Sequence, residues 1–270
     1  MIVTGKVLPA GQGGVADLRD LLDTLFNHPN TAPFVSRRLI QRLVTSNPSP
    51  GYVYRVAQVF ADNGAGVRGD LGAVIRAILL DYEARSPDLT DSPSFGKLKE
   101  PILRATAFMR AFGAKSDSGR LNIDAYPAFA QAPLRSITVF NFFLPDYTRP
   151  GTLAASGLYA PEFQILTDTT AITGSNFHYF YIYNPKPGNP SPSNQESIYL
   201  TLDELIPLAR NPAALVAKLN LILAAGSLST ITTDRIVSAL AALPSNADDY
   251  ERVRLALYLA VVSPEGAAQK

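Results

Sequence analysis

The sequence has no cysteine and only two histidines among its 270 residues, and this shortage excludes several kinds of site. Without a thiol there can be no disulfide, no thiolate nucleophile, no cysteine-ligated zinc and no iron–sulfur cluster. Two histidines, His28 and His178, are too few for a metal site rich in imidazole. We therefore expect no metal site and no cofactor.

An excess of charge of one sign is also lacking. Twenty-four Lys and Arg residues oppose 23 Asp and Glu residues, which leaves a net charge of +1. Such a chain has no broad field to hold a phosphate backbone or an anionic bilayer, so nucleic acid is not an expected partner. No apolar run reaches the roughly 18 residues of a transmembrane segment. Residues 1–14 show no basic start followed by an apolar stretch, so we expect no signal peptide on this chain.

Apolar residues make up 47% of the sequence and recur at helical spacing in one segment after another. Over Val15–Asn27 they predict an amphipathic helix with one buried face. The residues of that stripe are Leu18, Leu21, Leu22, Leu25 and Phe26. Ser49 followed by proline, and Asp70, are typical N-caps of two further helices. The predicted fold class is all-α, a multi-helix array with irregular Pro-rich connections and a short extended arm at residues 2–8.

The domain organisation is predicted from one proline-rich segment. Residues 1–183 form the expected main helical domain, 184–197 a Pro-rich loop, and 198–270 a C-terminal helical subdomain packed on the first. The loop contains Pro185, Pro187, Pro190 and Pro192. The longest predicted helix covers 160–183, with a break expected near 173–174.

Carboxylates are the candidate catalytic groups, because thiols are absent and histidines are scarce. Hydrolysis of a glycosidic bond needs two carboxyl groups and neither Cys nor His. Glu162 is the predicted general acid or nucleophile, since Pro161 fixes the backbone before it and aromatic neighbours give it apolar surroundings. Glu100 is its predicted partner. The candidate substrate-binding residues are Arg38, Tyr159, Tyr179 and Asn141.

Each of these residues also has a structural interpretation. Glu100 precedes a proline at an expected helix start, where an acid favours the helix dipole. Tyrosines at helical spacing are typical of a protein core. The sequence has no Gly-x-Ser-x-Gly elbow, no phosphate-binding loop and no dinucleotide fingerprint. The residues alone leave binding and hydrolysis open.

Six strings carry a family resemblance. They are HPNTAPF at 28–34, VRGDL at 67–71, GKLKEP at 96–101, VFNFF at 139–143, APEFQ at 160–164 and SPE at 263–265. In order and spacing they resemble the large bacterial family called domain of unknown function 1800, and the chain is similar to the C-terminal half of such a protein. The resemblance implies an exported or cell-surface protein of no settled activity, so we expect the parent protein to be periplasmic or extracellular. Gly266 stands where the family pattern implies an aromatic residue, and we expect weaker anchoring of the last helix.

Two functions follow as hypotheses. The first is an exported helical module that binds or scaffolds at the cell envelope, with carbohydrate or another envelope protein as its partner. The alternative is a carboxylate-dependent hydrolase that acts on carbohydrate. A tyrosine-lined pocket with two paired acids would favour the hydrolase, whereas a broad apolar patch would favour the binding module.

Overall fold

The all-α prediction is confirmed. The computed structural model describes residues 5–89, 92–123, 125–139, 141–184 and 195–270, and these fold mainly into helices with one short two-stranded pairing. The chain divides into two compact units, Met1–Gly96 and Lys97–Lys270. The predicted boundary at 184–197 stays a prediction, because residues 185–194 lie outside the described residues. No helix in the described ranges has the length and hydropathy to cross a bilayer.

The first unit is built from helices α1 to α5, with a 3-10 turn at Pro87–Leu89. The helices are α1 Gly14–Phe26, α2 Thr31–Leu43, α3 Pro50–Ala61, α4 Leu71–Leu80 and α5 Tyr82–Arg85. Their core holds Ala32, Ile40, Val44, Tyr52, Val56, Ala57, Phe60, Val74 and Ile78. The Tyr52 hydroxyl donates to the Ile78 carbonyl at 2.6 Å, so the one polar atom of this ring is satisfied.

The predicted caps of the first unit are confirmed. The Ser49 hydroxyl accepts a hydrogen bond from the Tyr52 amide at 3.0 Å, with Pro50 in the first turn of α3. Asp70 accepts from the Ala73 amide at 3.1 Å and begins α4. These contacts satisfy amides that have no partner inside their own helix.

The prediction that helix α1 has a buried face is wrong. The helix forms, yet no residue of α1 is buried, and its apolar side chains are 41–82% exposed. Its last turn packs on the helical core of the unit, where the ring of Phe26 lies 6.1 Å from that of Phe60. Residues 5–8, predicted as part of an extended arm, are exposed and belong to no helix or strand, and residues 1–4 lie outside the described residues.

The second unit contains helices α6 to α13 and strands β1 and β2. The helices are α6 Pro101–Ala111, α7 Ala125–Phe129, α8 Thr152–Ala155, α9 Asp168–Tyr183, α10 Pro212–Ala224, α11 Thr230–Ala241, α12 Asp249–Val262 and α13 Pro264–Ala267. Strand β1, Lys97–Leu98, pairs antiparallel with β2, Ala268–Gln269. Short 3-10 turns cover Pro161–Gln164 and Ile206–Leu208. The core lies between α9, α10 and α12 and includes Leu215, Leu219, Val253 and Leu257.

The single long helix predicted for 160–183 is wrong. Pro161–Gln164 forms a separate 3-10 turn, and α9 begins only at Asp168. The new start has its own cap, since Thr167 and Thr170 each accept a hydrogen bond from the other's backbone amide. The expected break near 173–174 does not occur, because α9 is continuous to Tyr183.

Gly266 is required by close packing in α13. A Cβ atom there would lie 2.3 Å from the carbonyl oxygen of Ala260 and 3.0 Å from the Ser263 hydroxyl. The aromatic side chain implied by the family pattern has no room at this position, and the expectation of weak anchoring is not supported by this tight packing.

We expect Gly266→Ala to lower the free energy of unfolding by about 1–3 kcal/mol, as overpacking of a dense interior does. Urea unfolding would measure it. Gly14→Ala is the matched control, since a Cβ at Gly14 meets nothing within 4 Å, and it should leave stability unchanged or slightly raised. Equal stability of the two variants would contradict the packing argument.

Candidate functional site: a buried charged centre

Glu162 lies in the 3-10 turn Pro161–Gln164 and is 1% exposed. Two hydrogen bonds to the segment 144–147 fix this turn, one before Glu162 and one after it. The Ala160 amide donates to the Tyr147 carbonyl at 2.8 Å, and the Gln164 side chain accepts from the Leu144 amide at 2.7 Å. Glu162 is thus held in place by the segment 144–147, well away from solvent.

Lys97 is the partner of Glu162. Its Nζ lies 2.9 Å from Glu162 Oε1, and the two side chains are 3% and 1% exposed. The second carboxylate oxygen, Oε2, is buried and accepts no hydrogen bond within the described residues. A buried carboxylate and a buried ammonium stabilise each other strongly only as a pair, because either one alone is left charged in a dry interior.

Glu100 forms a different contact. Its Oε2 accepts a hydrogen bond from Gln131 Nε2 at 2.8 Å, and Gln131 Oε1 accepts from the Ile102 amide at 3.1 Å. Gln131 therefore connects the carboxylate to the first turn of α6, which Glu100 precedes as the N-cap residue. Glu100 acts next to a positive helix end, as its structural interpretation predicts.

Two further cations are partly buried near helix C-termini. Lys99 donates to the carbonyls of Leu223 at 2.8 Å and Gly266 at 3.2 Å, and Arg104 donates to the carbonyl of Val261. Leu223 and Val261 belong to the last turns of α10 and α12, where carbonyls have no intrahelical partner and the dipole is negative. Neither cation forms an ion pair within the described ranges. Burial lowers the pKa of Arg104 to about 10, and burial with the Arg104 charge lowers that of Lys99.

His178 lies next to these cations, 1% exposed, with its ring 5.2 Å from that of Phe108. Burial, reinforced by the Arg104 charge, lowers its pKa to about 4, although the hydrogen bond to the Gly174 carbonyl opposes the shift. Because that carbonyl only accepts, Nδ1 carries the proton and donates at 2.8 Å. Nε2 is buried and has no partner within the described residues, which is typical of a neutral, structural histidine.

A small cavity of about 60 Å³ touches this centre at Lys99, Arg104 and Gly174. That volume holds a few water molecules and no substrate. No group of three His, Asp or Glu side chains in the part of the chain that the structure describes is arranged to bind a metal ion. The centre has many charges, but its carboxylates are committed to contacts that hold α6 and the turn at 161–164.

Comparison with known proteins provides the family. A family model described as protein of unknown function (DUF1800) matches residues 2–267, nearly the whole chain. The chain belongs to this family. No curated protein and no solved structure gave a match.

Two of the strings that carry the resemblance supply the buried pair. Lys97 comes from the string at 96–101, and Glu162 comes from the string at 160–164. The resemblance strings of this family member therefore meet in space, although they are more than 60 residues apart in sequence. The sequence did not single out Lys97, because a lysine directly after Gly96, at the end of a connection that contains serine and proline, has the appearance of a surface residue.

The other predicted site residues occupy different places. Arg38 lies in α2 of the first unit, where it donates to Gln41 at 2.9 Å and lies 5.1 Å from the ring of Phe34. Tyr159 is half-buried just before the turn that holds Glu162. Asn141 has a positive φ of 71° and bonds locally with Thr138.

Tyr179 is half-exposed on α9 and belongs to an aromatic group. Its ring stacks on Tyr183 at 4.5 Å and meets Tyr258 edge-on at 5.6 Å. The guanidinium of Arg254 lies 6.0 Å from the ring of Tyr183, which belongs to the same group. Tyr179 thus has aromatic neighbours, and none of its described ring contacts involves Glu100 or Glu162.

Proposed function

We propose that this protein is a binding module of the bacterial cell envelope, which docks through helix α1 into an apolar groove of a partner protein. The observation that carries the proposal is the exposure of the whole apolar stripe of α1. A single exposed leucine is ordinary, but a contiguous stripe on one helix marks an interaction surface. The envelope location rests on the resemblance described above, which implies an exported or cell-surface protein.

The stripe has the spacing of known helix-in-groove ligands. Leu18, Leu21, Leu22 and Leu25 follow one another at i, i+3, i+4 and i+7, which places them on one face. Leu18 and Leu22 are each 56% exposed. A groove that buries these side chains would remove them from water. Each fully buried leucine would stabilise the complex by roughly 1.5–3 kcal/mol.

Charge on α1 indicates the chemistry of the partner. The helix contains Asp17, Asp20 and Asp23 against Arg19, so its net charge is −3 + 1 = −2. Asp20 is paired with Lys6 at 3.1 Å. The expected partner surface is an apolar groove with basic residues at its rim, since complementary charge speeds association and fixes orientation.

The hydrolase alternative has less support from the geometry. A general acid must lie within about 2.6–3.2 Å of the substrate atom that it protonates, or reach that atom through one water. Glu162 is instead ion-paired to Lys97 in the interior, and Glu100 is bonded to Gln131. Both contacts favour a stabilising role for the two acids.

We expect Leu18→Glu combined with Leu22→Glu to abolish partner binding while the fold is retained, because neither leucine is buried. The test is affinity purification from the envelope fraction of the bacterium that encodes the chain. A specific partner should be at least tenfold depleted with the double variant and should present an apolar groove with a basic rim.

Arg19→Ala is the matched control, since Arg19 is exposed on α1 outside the leucine stripe. It should leave capture of the same partner unchanged, and circular dichroism should show equal helicity for all proteins. Retention of the partner by the double variant would refute docking through α1.

A further inference from the structure

A cavity of about 480 Å³ lies in the second unit, apart from α1 and from the buried charged centre. It opens between the end of α9, the segment 199–203 and the start of α12. Its volume is within the range of about 300–1,000 Å³ that is typical of small-molecule sites. The charged and aromatic lining side chains are Lys115, Tyr199, Asp203, Asp248, Tyr250 and Arg254.

The walls of this cavity are held by hydrogen bonds between backbone segments. Lys115 and Tyr199 exchange two amide–carbonyl bonds of 2.9 Å, and the Thr201 amide donates to the Phe112 carbonyl at 2.9 Å. The Asn184 side chain donates to the Ile198 carbonyl at 2.7 Å. These contacts give the cavity its shape in the absence of any ligand, and preformed walls reduce the entropy lost on binding.

Two of the hydrogen-bond donors that line the cavity are cations, Arg254 and Lys115. Arg254 lies 5.7 Å from the ring of Tyr250 and 6.0 Å from that of Tyr183. Among the residues that the structure describes, neither Arg254 nor Lys115 forms an ion pair, and Arg254 Nε is buried without a hydrogen-bond partner. The guanidinium of Arg254 and the ammonium of Lys115 therefore give the lining charged donors that no described carboxylate pairs, and ligand oxygens can accept from them.

The acceptors are two carboxylates. Asp203 accepts from the Tyr250 hydroxyl at 2.8 Å, and Asp248 accepts from the Glu251 amide at 2.6 Å as the N-cap of α12. In each carboxylate the second oxygen accepts no hydrogen bond from the described residues. The hydrogen bond to Asp203 and its negative charge raise the pKa of Tyr250, so this hydroxyl stays protonated at neutral pH.

The balance of these groups selects the class of ligand. Two cations and two carboxylates give the lining a net charge of zero, so neither an anion nor a cation is favoured over a neutral molecule. A sugar hydroxyl both donates and accepts, which suits a wall that has free acceptors beside an unsatisfied donor. The rings of Tyr199 and Tyr250 add apolar surface for the C–H face of a sugar ring.

We propose that this cavity binds a neutral saccharide of one or two rings, oriented by Arg254 and Asp203 and packed against Tyr250. The site is independent of the α1 surface, so either function can fail without the other. The whole chain is used for its test.

The experiment is isothermal titration with glucose, galactose, N-acetylglucosamine and their β-linked disaccharides, together with glucuronate and inorganic phosphate as anionic probes. We expect at least one neutral sugar to bind and to bind more tightly than either anion. Arg254→Leu should weaken that affinity at least tenfold, whereas Arg235→Ala, an exposed arginine of α11 outside the lining, should not change it.

Chemical-shift mapping keeps the test decisive if Arg254→Leu does not fold. With wild-type protein, the tight-binding sugar should perturb amide signals of Tyr199, Asp203 and Tyr250 and leave those of α1 unchanged. Absence of binding by every neutral sugar, tighter binding of glucuronate or phosphate, or perturbations elsewhere in the chain would each overturn the proposal.

Discussion

Glu162→Gln will lower the free energy of unfolding of the second unit by about 3 kcal/mol or more, because it leaves the Lys97 ammonium charged and unpaired in the interior. For a unit of this size the loss corresponds to a melting temperature lower by roughly 6–12 °C. Differential scanning calorimetry at neutral pH measures it. The size of the effect distinguishes a structural pair from a catalytic carboxylate, whose replacement by Gln usually spares stability.

The matched control removes both charges. Lys97→Met combined with Glu162→Leu should recover most of the stability, since an apolar pair of similar volume can replace a buried ion pair at little cost. A Glu162→Gln protein as stable as wild type would contradict the ion-pair account and return Glu162 to the list of catalytic candidates.

Stability will fall by about 2 kcal/mol between pH 7 and pH 5 through His178 alone. Its folded-state pKa of about 4 is below the value of 6.5 for an unfolded histidine. The unfolded chain therefore binds more protons between these two pH values. The stabilisation of the folded state by neutral His178 is fully present above about pH 6.5 and is lost as the pH falls towards 4. Urea unfolding at a series of pH values gives the slope.

The two histidines of the chain provide the comparison for this prediction. His178→Leu should remove most of the change between pH 7 and pH 5, although it can lower stability at every pH. His28→Gln replaces a histidine that accepts from the Asn30 amide in the first unit, and it should leave the slope attributed to His178 intact. An unchanged slope in His178→Leu would show that other groups govern the acid sensitivity.

Local features of the fold could be predicted from the sequence because they depend on neighbouring residues. Ser49 and Asp70 cap helices as expected. A side chain that bonds an amide three residues later needs no information from the rest of the chain. The same locality explains why α4 begins directly after its predicted cap, Asp70.

The candidate site could not be predicted in the same way, because its contacts are long-range. Lys97 meets Glu162 across 65 residues, and Lys99 meets the carbonyl of Leu223 across 124. Helical periodicity also fails to distinguish a core face from an exposed one, as α1 demonstrates. Its stripe has the spacing of a buried face, but none of its leucines is buried by the described residues.

The cavity beside Arg254 illustrates the same limit. Its walls come from α9, α12, the segment 199–203 and Lys115, which no local pattern brings together. The aromatic run that contains Tyr179 and Tyr183 does signal this region, since Tyr183 packs near Arg254. The sequence thus pointed to a neighbour of Arg254, and neither tyrosine lines the cavity itself.

Site-specific photocrosslinking in living cells tests docking through α1 most directly. A photoreactive amino acid at Leu22, on the apolar stripe, is compared with the same group at Asp23, an exposed residue about 100° further round the axis of the same helix, towards its acidic face. The account predicts one discrete crosslinked envelope protein from position 22 and none from position 23. No crosslink at position 22, or the same products from both positions, would contradict the claim that the apolar face of α1 binds a partner.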